Sequence, residues 1–263
     1  IPPVRLVRQG HLNTDIVDIL KTNSRLPLSL YGDLNGQLNA LELGAKRLAD
    51  LLKDYGAATV AEALGELLAR AAKLMRANIA SLQIAMERLG RPATLSADAA
   101  EIERGSHVIL PGVGAAADAM ARLERAGLTG LIPRLRQPVL GICLGMQLLY
   151  EASEEGGTRC LGVIPGRVRR MRPASGRPVP HMGWNQVAIR RGHALVEGLG
   201  DGEWAYFVHS YCAPLGTDTV AACEYDEPFT AVACRENFFG AQFHPERSAG
   251  FGARLLANFL ALS

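Results

Sequence analysis

The sequence predicts an α/β fold: a mostly parallel sheet flanked by helices, with a helical extension in front of it. Three observations carry that expectation. From residue 79 to 151, short apolar runs alternate with stretches whose apolar residues recur every three or four positions, as in a parallel sheet covered by helices. Val108-Ile109-Leu110-Pro111-Gly112 and Val139-Leu140-Gly141-Ile142 are apolar strand patterns that run into glycine-bearing turns. Upstream, Leu38–Lys53 and Ala57–Arg76 read as two amphipathic helices separated by Tyr55-Gly56.

In chain order, a start punctuated by proline and glycine leads into those two helices. No proline lies between Thr59 and Leu89, so the pattern favours one continuous helix through Asn78. Then follow helix Ile79–Arg88, a strand near Ala93–Leu95, a short helix, strand His107–Leu110, helix Ala115–Ala126, strand Val139–Ile142 and helix Leu144–Glu151. After Leu161 the strands shorten: Gly162–Ile164, Gln186–Ile189, Ala205–Val208, Thr219–Glu224, Thr230–Cys234 and Phe238–Phe243, with a closing helix Gly250–Leu262. A chain of 263 residues holds one α/β domain and a small extension, divided here into 1–76 and 77–263.

Composition narrows the function classes. A formal charge of +2 gives no reason to expect nucleic acid binding. No run approaches the ~18 apolar residues of a membrane span, and Ile1-Pro2-Pro3-Val4-Arg5 lacks a signal-peptide layout, so a cytoplasmic protein is expected. Five cysteines, one of them in a glycine-flanked turn, fit a reducing compartment better than a disulfide framework. Cys160, Cys212, Cys223 and Cys234 lack paired zinc spacing and are read as structural thiols; no metal is expected. No P-loop and no Gly-x-Gly-x-x-Gly entering a helix is present, and no cofactor is expected.

The chemistry concentrates at Gly141-Ile142-Cys143-Leu144-Gly145. A Gly-x-Cys-x-Gly turn from strand to helix places a nucleophile at the bend, and its flanking positions must be small because the turn is tight. At the start of the following helix, unpaired N–H groups favour a thiolate. A cysteine nucleophile needs a base. The apolar strand Phe238–Phe243 runs directly into His244-Pro245-Glu246, where proline ends the ladder. In an open parallel sheet the carboxyl ends of strands share one crevice, so Cys143 and His244 can meet there. Glu246 is then placed to accept the second imidazole N–H and fix the tautomer.

Together, Gly141–Gln147 and Gln242–Glu246 resemble the Cys-His-Glu triad of the class I glutamine amidotransferases. Within that family, the stretch from about Asn78 onward is most similar to the glutaminase subunits of imidazole glycerol phosphate synthase. That finer likeness rests on Asn78–Leu82, Val108–Gly114, Leu161–Gly166, Pro180-His181-Met182-Gly183-Trp184-Asn185 and Val208-His209-Ser210-Tyr211. The resemblance implies hydrolysis of L-glutamine, with Cys143, His244 and Glu246 catalytic. Gly112, Val113 and Gly114 would form an oxyanion loop, the amide of Leu144 a second donor, and Gln147 a binder of substrate glutamine. It also implies a partner in trans, a (β/α)₈-barrel cyclase subunit that uses the ammonia to make imidazole glycerol phosphate and an aminoimidazole carboxamide ribotide in histidine biosynthesis.

Three further readings belong to the sequence. His181 and His209 fall at strand edges and read first as satisfied structural histidines, with the active crevice or a partner face as alternatives. Arg167, Arg169, Arg170 and Arg172 read as a solvated strand face, with a subunit interface second. The stretch from Tyr31 to Gly56 resembles a helical piece of hydantoinase B and oxoprolinase-type subunits, from which no activity or residue carries over.

That family opens with a short apolar strand ending in a Gly-x-Gly-Asn-like turn, where this chain has Lys73–Asn78. The first strand is therefore expected to be missing, unless the N-terminal segment fills the gap with Val4-Arg5-Leu6-Val7. Two alternatives stand beside a working glutaminase: a class I amidotransferase serving another synthase, and a catalytically silent fusion with a spoiled first strand.

Overall fold

A computed structural model describes residues 3–7, 53, 56, 58, 59 and 79–263. The helices expected at Leu38–Lys53 and Ala57–Arg76, and the helix continuing through Asn78, lie outside the described residues apart from those isolated positions. Among the described residues the order is β1 Val4–Val7, a helix over 79–88 (α1), β2 Ala93–Ser96, α2 Ala99–Glu103, β3 His107–Gly112, α3 Ala116–Arg125, β4 Val139–Cys143 and α4 Leu144–Leu149. There follow β5 Tyr150–Ser153, β6 Thr158–Arg159, β7 Ile164–Arg170, β8 His181–Ile189, β9 Glu203–His209, β10 Tyr211–Cys212, β11 Thr219–Tyr225, β12 Glu227–Arg235, β13 Phe238–Ala241 and α5 Ala249–Ala261.

The main sheet has nine strands in the order β2-β1-β3-β4-β13-β12-β11-β8-β9. Its first five strands are parallel and the rest antiparallel. A second sheet of four strands runs β10-β7-β5-β6. Two clusters of buried apolar side chains pack against the strands, one containing Leu140, Phe207, Phe243 and Leu256, the other Val108, Leu123, Met146 and Leu148.

The expected gap at the first strand is filled. Val4–Val7 lies between β2 and β3, with Val4 opposite both Ala93 and His107. Val4, Leu6 and Val7 are buried, which accounts for their preference for this slot: each buried side chain of this size contributes about 1.5–3 kcal/mol, and the ladder satisfies backbone groups on both neighbours. A silent fusion built on a spoiled first strand thus loses its structural premise. By its contacts the chain divides into two units, Ile1–Gly10 with Ile79–Ser263, and His11–Asn78.

Leu6 is fully buried in the middle of this short strand. Leu6→Asp is expected to cost about 4 kcal/mol or more, most of an ordinary folding margin of about 5–15 kcal/mol. Thermal unfolding followed by circular dichroism should lose its cooperative transition; an unshifted melt would contradict the placement of β1.

Two boundaries differ from expectation. The helix expected over Leu144–Glu151 ends at Leu149, because Tyr150 enters β5 and pairs with Ile164. Phe238–Phe243 is strand only to Ala241, and the two residues beyond it lead to His244. The arginines of β7 at 167, 169 and 170, and Arg172 beyond it, are exposed while Val168 between them is buried, a solvated strand face.

Candidate active site

Cys143 closes β4 with φ 53° and ψ −111°, a backbone conformation that L-residues with side chains rarely adopt. Neighbouring glycines make the turn possible. A Cβ on Gly145 would lie 1.7 Å from the carbonyl oxygen of Leu110, and one on Gly141 2.6 Å from Met146 N, so strand β3 and helix α4 close around the bend only with hydrogen at both positions. The thiol is buried, and its Sγ lies 3.7 Å from the carbonyl oxygen of Val208, to which it donates. The amide nitrogen of Gln242 approaches it from another side at 3.8 Å.

His244 follows β13, whose neighbour in the sheet is β4, so Cys143 and His244 leave adjacent parallel strands at the same end. Its backbone N–H donates to the carbonyl of Tyr206 at 3.0 Å. Its Nδ1 meets Oε1 of Glu246 at 2.8 Å, and both side chains are buried. A carboxylate only accepts, so Nδ1 carries the proton. Nε2 is left without a hydrogen-bond partner among the described residues, as is Oε2 of Glu246. Burial opposes charge on this imidazole, but the charge of Cys143 and then the bond to Glu246 outweigh it and raise its pKa to about 10. The three residues therefore act as one electrostatic unit.

Gly112, the last residue of β3, stands in register with Cys143, and the turn continues through Val113 to Gly114 at φ +100°. The next helix, α3, is held by a carboxylate that sequence reasoning missed: Glu155 is buried and accepts from the amide of Ala116 at 2.7 Å. Burial raises its pKa to about 7 against that hydrogen bond. Leu144 and Gln147 are buried in α4. The Gln147 amide nitrogen donates to Tyr211 O at 2.7 Å and to Gln242 Oε1 at 3.0 Å. Gln242, the other residue missed, had one signal, a polar side chain in an apolar run two positions before His244.

His181 and His209 are satisfied inside the protein. His209 Nδ1 donates to Tyr211 O at 2.8 Å, leaving its Nε2 to accept from His181 Nδ1 at 3.1 Å, while His181 Nε2 accepts from Asn185 at 3.4 Å. The His181 ring stacks on Tyr225 and Phe207 with centroids 4.0 and 4.9 Å away. Burial lowers His181 to about 4, and burial with the charge of His181 lowers His209 to about 3. In the unfolded chain both take up protons near the ordinary value of about 6.5. Between that value and about 4 the unfolded state binds more protons, so stability falls as pH drops through this window. Over pH 7 to pH 4 the melting temperature of His181→Asn should gain relative to wild type as pH falls; an unchanging difference between the two would contradict the neutral pair.

The remaining cysteines are free. Burial raises Cys160 to about 11 and Cys212, Cys223 and Cys234 to about 12, as expected of structural thiols. Among the described residues no cluster of histidine, cysteine and carboxylate side chains could hold a metal, and no helix is long and apolar enough to cross a membrane.

Residues 68–262 match the family model described as glutamine amidotransferase class-I, and residues 1–103 match hydantoinase B/oxoprolinase. Strand β1 lies outside the first match and inside the second. The chain is 55% identical over 187 residues to imidazole glycerol phosphate synthase subunit HisH of Xanthomonas axonopodis pv. citri, covering 71% of this chain and 94% of the relative. It is 53% identical over 186 residues to the subunit of the same name in Xylella fastidiosa (strain Temecula1 / ATCC 700964), covering 71% and 93%. A crystal structure of a glutamine amidotransferase superposes with a TM-score of 0.54 at 22% identity, over 69% of this chain and 91% of that one, and supports the fold.

Proposed function

The chain belongs to the class-I glutamine amidotransferase family, and from that premise we propose that it is the glutaminase subunit of an imidazole glycerol phosphate synthase in histidine biosynthesis. The single observation that carries the chemistry is the buried cysteine, imidazole and carboxylate gathered at the ends of β4 and β13. With His244 favouring the imidazolium, Cys143 has a counter-charge for its thiolate, which attacks the carboxamide carbon of glutamine. The oxyanion is received by the amides of the Gly112–Gly114 turn and of Leu144. His244 gives a proton to the departing nitrogen, and ammonia leaves a γ-glutamyl thioester on Sγ. Water, deprotonated by the same imidazole, cleaves the thioester to glutamate and the free thiol. Glu246 holds Nδ1–H throughout and keeps Nε2 available for transfer. Glutamine is positioned beside α4, where contact with Gln147 falls to its amide oxygen, its nitrogen being engaged within the protein.

The ammonia passes to a cyclase subunit supplied in trans. An apolar patch supports docking of such a partner: Met182 and Trp184 of β8 and Trp204 of β9 are exposed on one face of the sheet's last two strands. The free thiols support a cytoplasmic setting. The chemistry is tested with a glutamine analogue bearing an electrophilic γ-carbon. Mass spectrometry should locate one adduct on Cys143, and labelling spread over the other cysteines would contradict the assignment.

A further inference from the structure

Among the described residues no strand pairs with the outer edge of β9, yet its polar groups are taken up by the catalytic machinery. Tyr206 O accepts from the backbone of His244, Tyr206 N–H donates to Ser248 Oγ at 2.9 Å, and Ser248 Oγ donates to His244 O at 2.7 Å. Two residues on, Val208 O receives the Cys143 thiol. One strand thus sets the position of both nucleophile and base. The end of that strand is pinned by His209.

A continuous line of hydrogen bonds runs from that pin to the nucleophile. Asn185, whose amide also donates to Glu224 O at 2.9 Å, donates to His181, and His181 donates to His209. His209 and Gln147 both donate to Tyr211 O; Gln147 donates to Gln242, and Gln242 reaches Cys143 Sγ. Each proton has one placement, because the Tyr211 carbonyl can only accept. No member of the line is spare: losing one leaves a buried polar group unpaired at its neighbour.

We propose that the His181–His209 pair is a positioning device for the Cys143 nucleophile, fixing the end of β9 and, through Tyr211, Gln147 and Gln242, the polar groups that face the thiol. Neither imidazole touches substrate. Their action is on the alignment of Cys143 with His244, so the expected loss is in turnover and in thiol reactivity, with glutamine affinity preserved. This inference rests on the proposed glutaminase reading, but its second readout does not.

The test uses the full chain with His209→Leu, His181→Leu and His209→Asn. An asparagine amide nitrogen sits where Nδ1 was and keeps the bond to Tyr211 O. His209→Leu and His181→Leu should lower kcat for glutamate release by about 10- to 100-fold, the scale of a small misplacement of reacting groups, with KM within about twofold. Alkylation of Cys143 by iodoacetamide should slow in the same order, and His209→Asn, which keeps the bond to Tyr211 O but not the acceptor for His181, should recover part of both rates. Leucine variants that melt cooperatively and keep wild-type kcat and alkylation rate would overturn the proposal. If they do not fold, His209→Asn combined with Gln242→Leu decides: losses smaller than the product of the single effects support one shared network, and fully multiplicative losses overturn it. If the wild-type chain releases no glutamate, the glutaminase reading fails, and the alkylation series alone decides the positioning role by the same order of rates.

Discussion

Cys143→Ala is expected to fold, to bind glutamine, and to release no glutamate. Alanine removes only Sγ, and the backbone at φ 53° is already held by the close approach of β3 and α4 around it. Thermal stability should therefore stay near that of the wild type. Loss of the nucleophile in a hydrolase that works through a covalent intermediate removes on the order of 10⁵-fold or more of kcat. A coupled assay for glutamate, with ammonia measured in parallel, reads this directly. Release from the alanine variant within tenfold of wild type would mean that another group attacks glutamine.

The second large effect is expected at Glu246. Its carboxylate lies 2.8 Å from His244 Nδ1 and is buried with it, so it both orients the ring and stabilises the imidazolium. In Glu246→Gln the side-chain amide can present either N–H or C=O to Nδ1, and in the first case the tautomer is reversed and the proton moves to Nε2, where it blocks base catalysis. A loss of about 10³- to 10⁴-fold in kcat is expected, with KM little changed, since Glu246 acts through His244 and not on substrate. Glu246→Asp, which keeps the charge at greater reach, should recover part of the rate. Equal kcat in Glu246→Gln and wild type would remove Glu246 from the mechanism.

What the sequence makes legible is what local sterics dictate. Gly141 and Gly145 announce the bend because any Cβ there collides with backbone, and His244-Pro245 announces the end of a strand because proline cannot continue the ladder. The glutaminase fold over the parallel half of the sheet was legible for the same reason: strands and helices alternate in sequence as they do in space. Features set by distant partners were not. Val4–Val7 stands in the sequence as one candidate for the first strand, and only the slot between Ala93–Ser96 and His107–Ile109 selects it.

The histidine pair shows the same limit. His181 and His209 are 28 residues apart, and they meet because the antiparallel register of β8 with β9 sets them opposite each other. Periodicity assigns each to a strand edge and nothing more. Nothing in Glu154-Glu155-Gly156 marks Glu155, which is buried because the turn after β5 folds it under α3. Gln147 was legible as a residue one helical turn after Cys143, but the direction of its amide depends on Tyr211 and Gln242, which sit on other elements.

The most direct test of the central claim is glutamate release from glutamine by the purified chain, alone and with the liganded cyclase subunit of an imidazole glycerol phosphate synthase, using Cys143→Ala as the blank. Weak release by the chain alone, raised by the liganded partner and absent in the blank, is the expected result. A cooperatively folded chain that releases no more glutamate than Cys143→Ala, with or without the cyclase, would contradict it.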